Sequence, residues 1–321
     1  MVNAMRTLRL GTRGSPLALV QAKTVAALLT AEGVECEIVV IKTSGDRLGE
    51  ATLSEIGGKR LFVKEIEDSL LAREIDVAVH SSKDLPAVLP DGLLIAAVLA
   101  REDPRDAIVL PAGQTAQSIE DVVRLLGTSP RIGTSSVRRV AQLQRLFPGC
   151  RFLPIRGNLD TRLRKLDAGD YDALVLAAAG LRRLAHDERI SFALPVDACI
   201  PAPGQGMIAV EVRARDAPNR EVVGRIDDTN ASAALAAERA LVVRLGGGCQ
   251  MPIGGYARID GDTMHMDAVV IALDGAHEVR ASAAGSIGEA AAVGTRVADQ
   301  LLARGADIIL ASLSRTVSDT D

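Results

Sequence analysis

A chain of 321 residues with 48% hydrophobic content has material for two or three cores of ordinary domain size. Aromatics make up only 2% and tryptophan is absent, so Ala, Val and Leu do most of the packing. With 37 Lys and Arg against 41 Asp and Glu the net charge is −4, which argues against a global nucleic-acid footprint and leaves any anion site to local focusing of basic groups.

The segment Met1 to Leu10 lacks the continuous apolar run of a secretory signal, and no stretch reaches the length of a membrane span. A soluble cytoplasmic protein without a membrane partner is expected. Cys36, Cys150, Cys199 and Cys249 are widely scattered, with no CxxC pair and no metal-ligand spacing, so no metal site is expected. Cys36 falls in an alternating strand and reads as a small core hydrophobe, whereas Cys249 falls in a Gly-rich loop and is the cysteine of chemical interest.

Leu8 to Leu10 predict a short strand running into Gly11-Thr-Arg-Gly-Ser-Pro, and Leu17 to Thr30 has helical periodicity. Ser15 suits the N-cap, Pro16 the first helical position and Gly33 the stop. Cys36 to Ile41 predicts the next strand, so Arg13 and a helix start share one turn that favours anions. Thr43 to Arg60 is a long polar, Gly-rich loop in which Lys59 is a candidate ligand contact, and Phe62, Ile66 and Leu70 then recur at helical spacing.

Asp76 to Pro86 is the most informative stretch. Four mostly apolar β-favouring residues end abruptly in His80, Ser81, Ser82, Lys83 and Asp84, as expected of a buried strand that delivers polar groups from its C-terminal end. Leu93 to Leu99 predicts a strand, and Arg101 to Asp106 a charged turn crossing between domains. A second series follows: a strand at Ala107 to Leu110, a helix at Ser118 to Leu126, and then Arg131-Ile-Gly-Thr-Ser-Ser-Val-Arg-Arg. There Thr134, Ser135 and Ser136 supply hydroxyls, and Arg138 and Arg139 forked donors. The design recurs at Phe152 to Ile155 with Arg156, Asn158 as a cap and Arg162, and again at Tyr171 to Ala177 with Arg182 and Arg183. Solvation gives charges no reason to prefer one edge of a sheet; several anionic groups on one ligand would.

Pro201-Ala-Pro-Gly-Gln-Gly-Met is a turn-rich segment, and Ile208 to Val212 predicts a strand that can return to the first sheet. From Thr229 a helix to Leu245 leads into Gly246-Gly-Gly-Cys-Gln-Met-Pro. Strands are then expected near Tyr256 to Ile259, Met264 to Leu273 and Glu278 to Ala283, a helix near Gly288 to Ala303 and a last strand at Ile308 to Leu313. The fold class expected is α/β: two periplasmic-binding-protein-like α/β lobes with a smaller C-terminal α+β domain. The lobes are assigned to 1-104 plus 205-224 and to 105-204, and the C-terminal domain to 225-321.

The motifs Arg9-Leu-Gly-Thr-Arg-Gly-Ser-Pro-Leu-Ala, Gly57-Gly-Lys-Arg-Leu-Phe-Val-Lys-Glu, Ala78-Val-His-Ser-Ser-Lys-Asp-Leu-Pro, Arg101-Glu-Asp-Pro-Arg-Asp, Gly133-Thr-Ser-Ser-Val-Arg-Arg, Arg156-Gly-Asn-Leu-Asp-Thr-Arg-Leu, Ala179-Gly-Leu-Arg-Arg-Leu, Pro203-Gly-Gln-Gly and Gly247-Gly-Cys-Gln-Met-Pro-Ile-Gly stand in order along nearly the whole chain. Together they resemble the porphobilinogen deaminase (hydroxymethylbilane synthase) family. The resemblance implies a covalent dipyrromethane cofactor, one per chain, held by Cys249 through a thioether. It also implies the stepwise addition of four porphobilinogen units, each losing ammonia, to give a linear tetrapyrrole in porphyrin biosynthesis.

By the same resemblance Asp84 is the catalytic carboxylate, a role its chemistry suits. Loss of ammonia from an aminomethylpyrrole leaves a cation that a fixed carboxylate stabilises. Lys83, Ser81, Thr134, Ser135, Ser136, Arg138, Arg139 and Arg162 match cofactor-binding positions, and Arg13, Ser15, Arg156 and Arg183 substrate-binding ones. Lys59 falls in the family's lid. Glu55 and Arg60 depart from residues common in relatives, which bears on lid closure and not on the catalytic assignment. The partners implied are porphobilinogen and the growing polypyrrole, with no nucleic acid, and a monomer is expected. The alternative is a non-catalytic bilobal binding protein for a small polyanionic solute, which leaves Cys249 without a purpose.

Overall fold

The computed structural model describes residues 7–43, 63–246 and 251–318. By contacts the chain divides into two units, one of residues 1–102 with 207–232 and the other of residues 103–206 with 233–321.

The first unit opens with β1 (Leu8–Thr12), α1 (Pro16–Ala31) and β2 (Cys36–Val40). Ser15 caps α1 as its sequence position suggests, its hydroxyl accepting from the Ala18 amide. α2 (Lys64–Leu71), β3 (Val77–Ser81) and β4 (Leu93–Val98) follow. β1 lies parallel to both β2 and β3. β3 is buried on both faces: Val77 and Val79 join the cluster beneath α1, and Ala78 packs with Ile66 and Leu70 of α2. A strand covered on two sides needs a nearly continuous apolar run, which is what precedes His80.

The second unit begins with β5 (Asp106–Val109), α3 (Ile119–Leu126), β6 (Arg131–Gly133), α4 (Val137–Leu146) and β7 (Arg151–Leu153). It continues with α5 (Leu159–Asp167), β8 (Ala173–Ala177), α6 (Ala178–Arg183) and β9 (Phe192–Ala193). The sheet order is β7-β6-β8-β5-β9, with β6 parallel to β7 and β8, and β5 antiparallel to β8 and β9.

The chain then returns to the first unit. β10 (Ile208–Arg213) inserts between β3 and β4, antiparallel to both, completing the order β2-β1-β3-β10-β4. The two sheets therefore share one plan, three parallel strands followed by one antiparallel strand and an edge. In each, the antiparallel strand is the one that immediately follows a crossing of the chain.

α7 (Ala217–Gly224) and α8 (Thr229–Arg244) lead to an antiparallel sheet of β11 (Ile253–Asp260), β12 (Thr263–Ile271) and β13 (Glu278–Ser286), flanked by α9 (Ala290–Ala303). This sheet shares a buried cluster with α4, through Ala141, Val269 and Ile271. A Cβ on Gly294 of α9 would stand 2.0 Å from the Ala237 carbonyl oxygen of α8, so those two helices approach backbone to backbone.

The strand expected at Ile308 to Leu313 is not formed, because this stretch lies in the helix α10 (Ala306–Ser318). Ile309 and Leu310 are buried while Ile308 is 70% exposed. Three adjacent apolar residues do not distinguish strand from helix by period alone.

Candidate functional site

At the C-terminal ends of β1 and β3 the first unit holds a small cavity of about 70 Å³ whose lining includes Arg13, Ser15, Gln21, His80, Ser81 and Asp84. Each side chain arrives by a different local device. Arg13 sits in the turn between β1 and α1, Ser15 is held there by its capping bond, and Asp84 ends a 3₁₀ turn, Ser82–Asp84, that follows β3 directly. The turn is anchored by the Ser82 amide donating to the Met207 carbonyl. Lys83 lies in the same turn and is partly exposed. Arg13, Ser15, Ser81 and Asp84, expected at the site from sequence, are thus brought together.

Two further lining residues, Gln21 and His80, have no role assigned by their sequence pattern. Gln21, buried on α1, meets the Ser81 hydroxyl at 2.9 Å. His80 is buried with its Nε2 3.2 Å from a carboxylate oxygen of Glu211 on β10. Gln21 stands where a helix pattern reads as core, and its signal would have been a polar residue on the apolar stripe of α1. His80 lies inside the Ala78 to Pro86 motif, where the sequence by itself marks no role for it.

In the second unit the basic residues fall into distinct environments. Arg138 and Arg139, in the first turn of α4, are both buried against Asp106, the first residue of β5. Arg138 Nη1 lies 2.8 Å from Oδ2, and Arg139 Nη2 2.7 Å from Oδ1. Burial alone would push the Asp106 carboxyl up, but the two guanidinium groups hold it well below the usual carboxylate range. Arg138 also donates to the Ile200 carbonyl, and its Nε is buried with no partner among the described residues. Two cations against one carboxylate leave an excess positive charge there.

The hydroxyls are partly committed to the fold. Ser135 bridges to Ile155, two residues past β7, donating to its carbonyl at 2.8 Å and accepting from its amide at 3.0 Å. Thr134 Oγ1 accepts from the Ser136 amide. Ser136 stands at the N-cap of α4 without a capping side-chain bond. Arg162, on α5, donates through Nε to the Gly157 carbonyl, and Gly157, at φ +105°, makes the turn that places Arg156 after β7. Arg156 is partly exposed.

The segment Pro201 to Gly206 ties several of these groups together. Gln205 donates to Asp106 Oδ1 at 2.9 Å, Arg183 donates to the Gly206 carbonyl at 2.7 Å, and the Gly204 amide donates to Glu238 at 2.6 Å. Glu238, wholly buried on α8, accepts also from Ala257 on β11 at 2.8 Å. α8 ends at Arg244, five residues before Cys249 in the sequence. Cys249, Lys59, Glu55 and Arg60 lie outside the described residues.

Of the other cysteines, Cys199 is buried in a core cluster, whereas Cys36 and Cys150 are half-buried against theirs. Burial pushes the Cys199 thiol up to about 12 and the Cys150 thiol up to about 11. Among the described residues no cluster of His, Cys, Asp and Glu could hold a metal ion. No helix among them is long and apolar enough to cross a membrane.

A family profile described as porphobilinogen deaminase, dipyromethane cofactor binding domain, matches residues 8–221, and one described as porphobilinogen deaminase, C-terminal domain, matches residues 233–303. The chain belongs to the porphobilinogen deaminase family. A porphobilinogen deaminase of Syntrophobacter fumaroxidans is 45% identical over 97% of this chain and 99% of its own length. One from Syntrophomonas wolfei is 46% identical over 95% of this chain and 98% of its own. Among solved structures, the periplasmic VFT2 domain of Bordetella pertussis BvgS aligns at 17% identity with a TM-score of 0.40, over 68% of this chain and 86% of its own.

Family membership assigns this chain a dipyrromethane cofactor, and the donor set can be tested against such a group. A dipyrromethane carries acidic side chains. The excess charge at Arg138 and Arg139, the orphaned Nε of Arg138 and the partly exposed Arg156 match carboxylates in sign and in forked geometry. The residues present fit the group.

Proposed function

We propose that this chain is a hydroxymethylbilane synthase, a transferase that joins four porphobilinogen molecules head to tail with release of ammonia. When bound, the cofactor supplies the pyrrole carbon to which the first unit is added. Everything else falls to the chain's own side chains. Cys249 holds the cofactor through a thioether, and a C-terminal domain of residues 225–321 carries it. Arg138, Arg139, Arg162, Lys83, Ser81, Thr134, Ser135 and Ser136 bind the cofactor's polar groups. Arg13, Ser15, Arg156 and Arg183 hold the acetate and propionate groups of incoming porphobilinogen, and Lys59 serves a lid. The protein works in the cytoplasm as a monomer.

The observation that carries this reading is the setting of Asp84. It is a carboxylate fixed at the exit of a buried strand, lining one cavity with Arg13 and Ser15. Departure of ammonia leaves a positive pyrrole, and a carboxylate already in place stabilises that charge without having to reorganise. The same oxygen can take a proton from the pyrrole ring. A binding protein for a polyanionic solute would gain nothing from a carboxylate here, since it would repel the ligand.

Intact-mass measurement on purified protein tests the reading. The expected wild-type mass exceeds that of the bare polypeptide by one dipyrromethane, and Cys249→Ser abolishes both the increment and turnover of porphobilinogen. A wild-type chain that turns over porphobilinogen at bare polypeptide mass would sink it.

A further inference from the structure

The end of β3 is gripped on two faces. On the α1 face, Ser81 is held by Gln21. On the opposite face, which carries α2, His80 meets Glu211 of β10. β3 and β10 are antiparallel, with His80 opposite Ala209 and Ala78 opposite Glu211, so the two side chains are diagonal neighbours on one sheet face.

Glu211 is completely buried, and neither of its oxygens has a hydrogen-bond partner among the described residues. The imidazole 3.2 Å away, off hydrogen-bond alignment, is its only ion-pair contact among them. A buried carboxylate against one imidazole is a costly arrangement, since apolar residues of similar volume usually serve stability as well or better. Its position suggests what it does. His80 lines the same cavity as Asp84, four residues before it in the chain, with only a single 3₁₀ turn between.

We propose that His80 and Glu211 are positioning residues for Asp84: the pair pins the last residues of β3 to β10 and so fixes where the following turn presents its carboxylate. This rests on the role given to Asp84 above. The pair is assigned no chemical step. Its contribution is geometric, and a carboxylate misplaced by about 1 Å can cost on the order of 100-fold in rate.

The test separates geometry from stability. Glu211→Met removes the carboxylate at similar volume, Glu211→Gln keeps its shape and an oxygen beside the imidazole, and His80→Leu with Glu211→Met replaces the pair by packing. Steady-state ammonia release is measured on material shown by intact mass to be cofactor-loaded, together with the melting temperature. Glu211→Met is expected to lower kcat about 10- to 100-fold with KM within about threefold, and Glu211→Gln to recover most of that loss. The double variant is expected to melt at or above the wild-type temperature and yet stay slow. A double variant that is both stable and within threefold of the wild-type kcat overturns the proposal, as does a Glu211→Met variant impaired only in KM or not at all. Should the double variant fail to fold, the two single Glu211 variants decide. Asp84→Asn is run alongside: near-normal turnover there shows that the role of Asp84 has failed, independently of what the pair does.

Discussion

Asp106 shows how a single residue can hold a site and the fold at once. It accepts from Arg139 and Gln205 and lies in ion-pair contact with Arg138, and it has no exposed surface. Asp106→Asn would leave two buried guanidinium groups without a counter-charge, and a loss of about 3–5 kcal/mol is expected by chemical denaturation at neutral pH. The pH dependence follows from the depressed carboxyl. A group whose folded-state pKa lies below its unfolded value of about 3.9 contributes fully above that value and loses its contribution as pH falls toward the folded one. The gap between wild type and Asp106→Asn should therefore stay flat from about pH 8 to pH 5 and narrow only below about pH 4. A gap that closes near neutrality would contradict the ion-pair account.

Among elements, the βα turns were the most legible in the sequence because their signals are local. Ser15 with Pro16, and Asn158 with the helix after it, cap as their chemistry dictates. The return of β10 to the first sheet was also readable, from an apolar strand arriving after a second βα series. What the sequence could not show were pairings that depend on residues far apart. Asp106 with Arg138 and Arg139, or His80 with Glu211, look in sequence like independent charges, so Arg138 and Arg139 read as open anion donors when both are already half engaged. The misread strand at Ile308 to Leu313 is a local failure of a different kind, an apolar run too short to reveal its period. Packing between elements gives a sharper forecast at Gly294. With the Ala237 carbonyl 2.0 Å from where a methyl would stand, Gly294→Ala must push α9 off α8, at an expected cost of about 1–3 kcal/mol measured by urea unfolding.

For the molecule as a whole, the cysteines make the cofactor assignment open to a simple count. Cys36, Cys150 and Cys199 are all raised by burial, so little thiolate is present at pH 8. Native protein carrying its cofactor should react with a thiol reagent no faster than Cys249→Ser does. Protein made without access to porphobilinogen should show one additional fast-reacting thiol, and equal counts in the two preparations would contradict attachment at Cys249. The sheet order has a consequence for how the chain is made. Among the described residues β4 of the first sheet pairs with β10 alone, which is synthesised more than a hundred residues later, whereas the strands of the second sheet lie between Asp106 and Ala193. During synthesis from the N-terminus, the second sheet can close before the first has its missing strand. A growing chain that stalls before Ile208 would expose the edges of β3 and β4 as unpaired backbone, open to pairing with another chain. The sheet that begins the sequence is therefore completed only after the second one, and Asp84 reaches its place once that late strand has arrived.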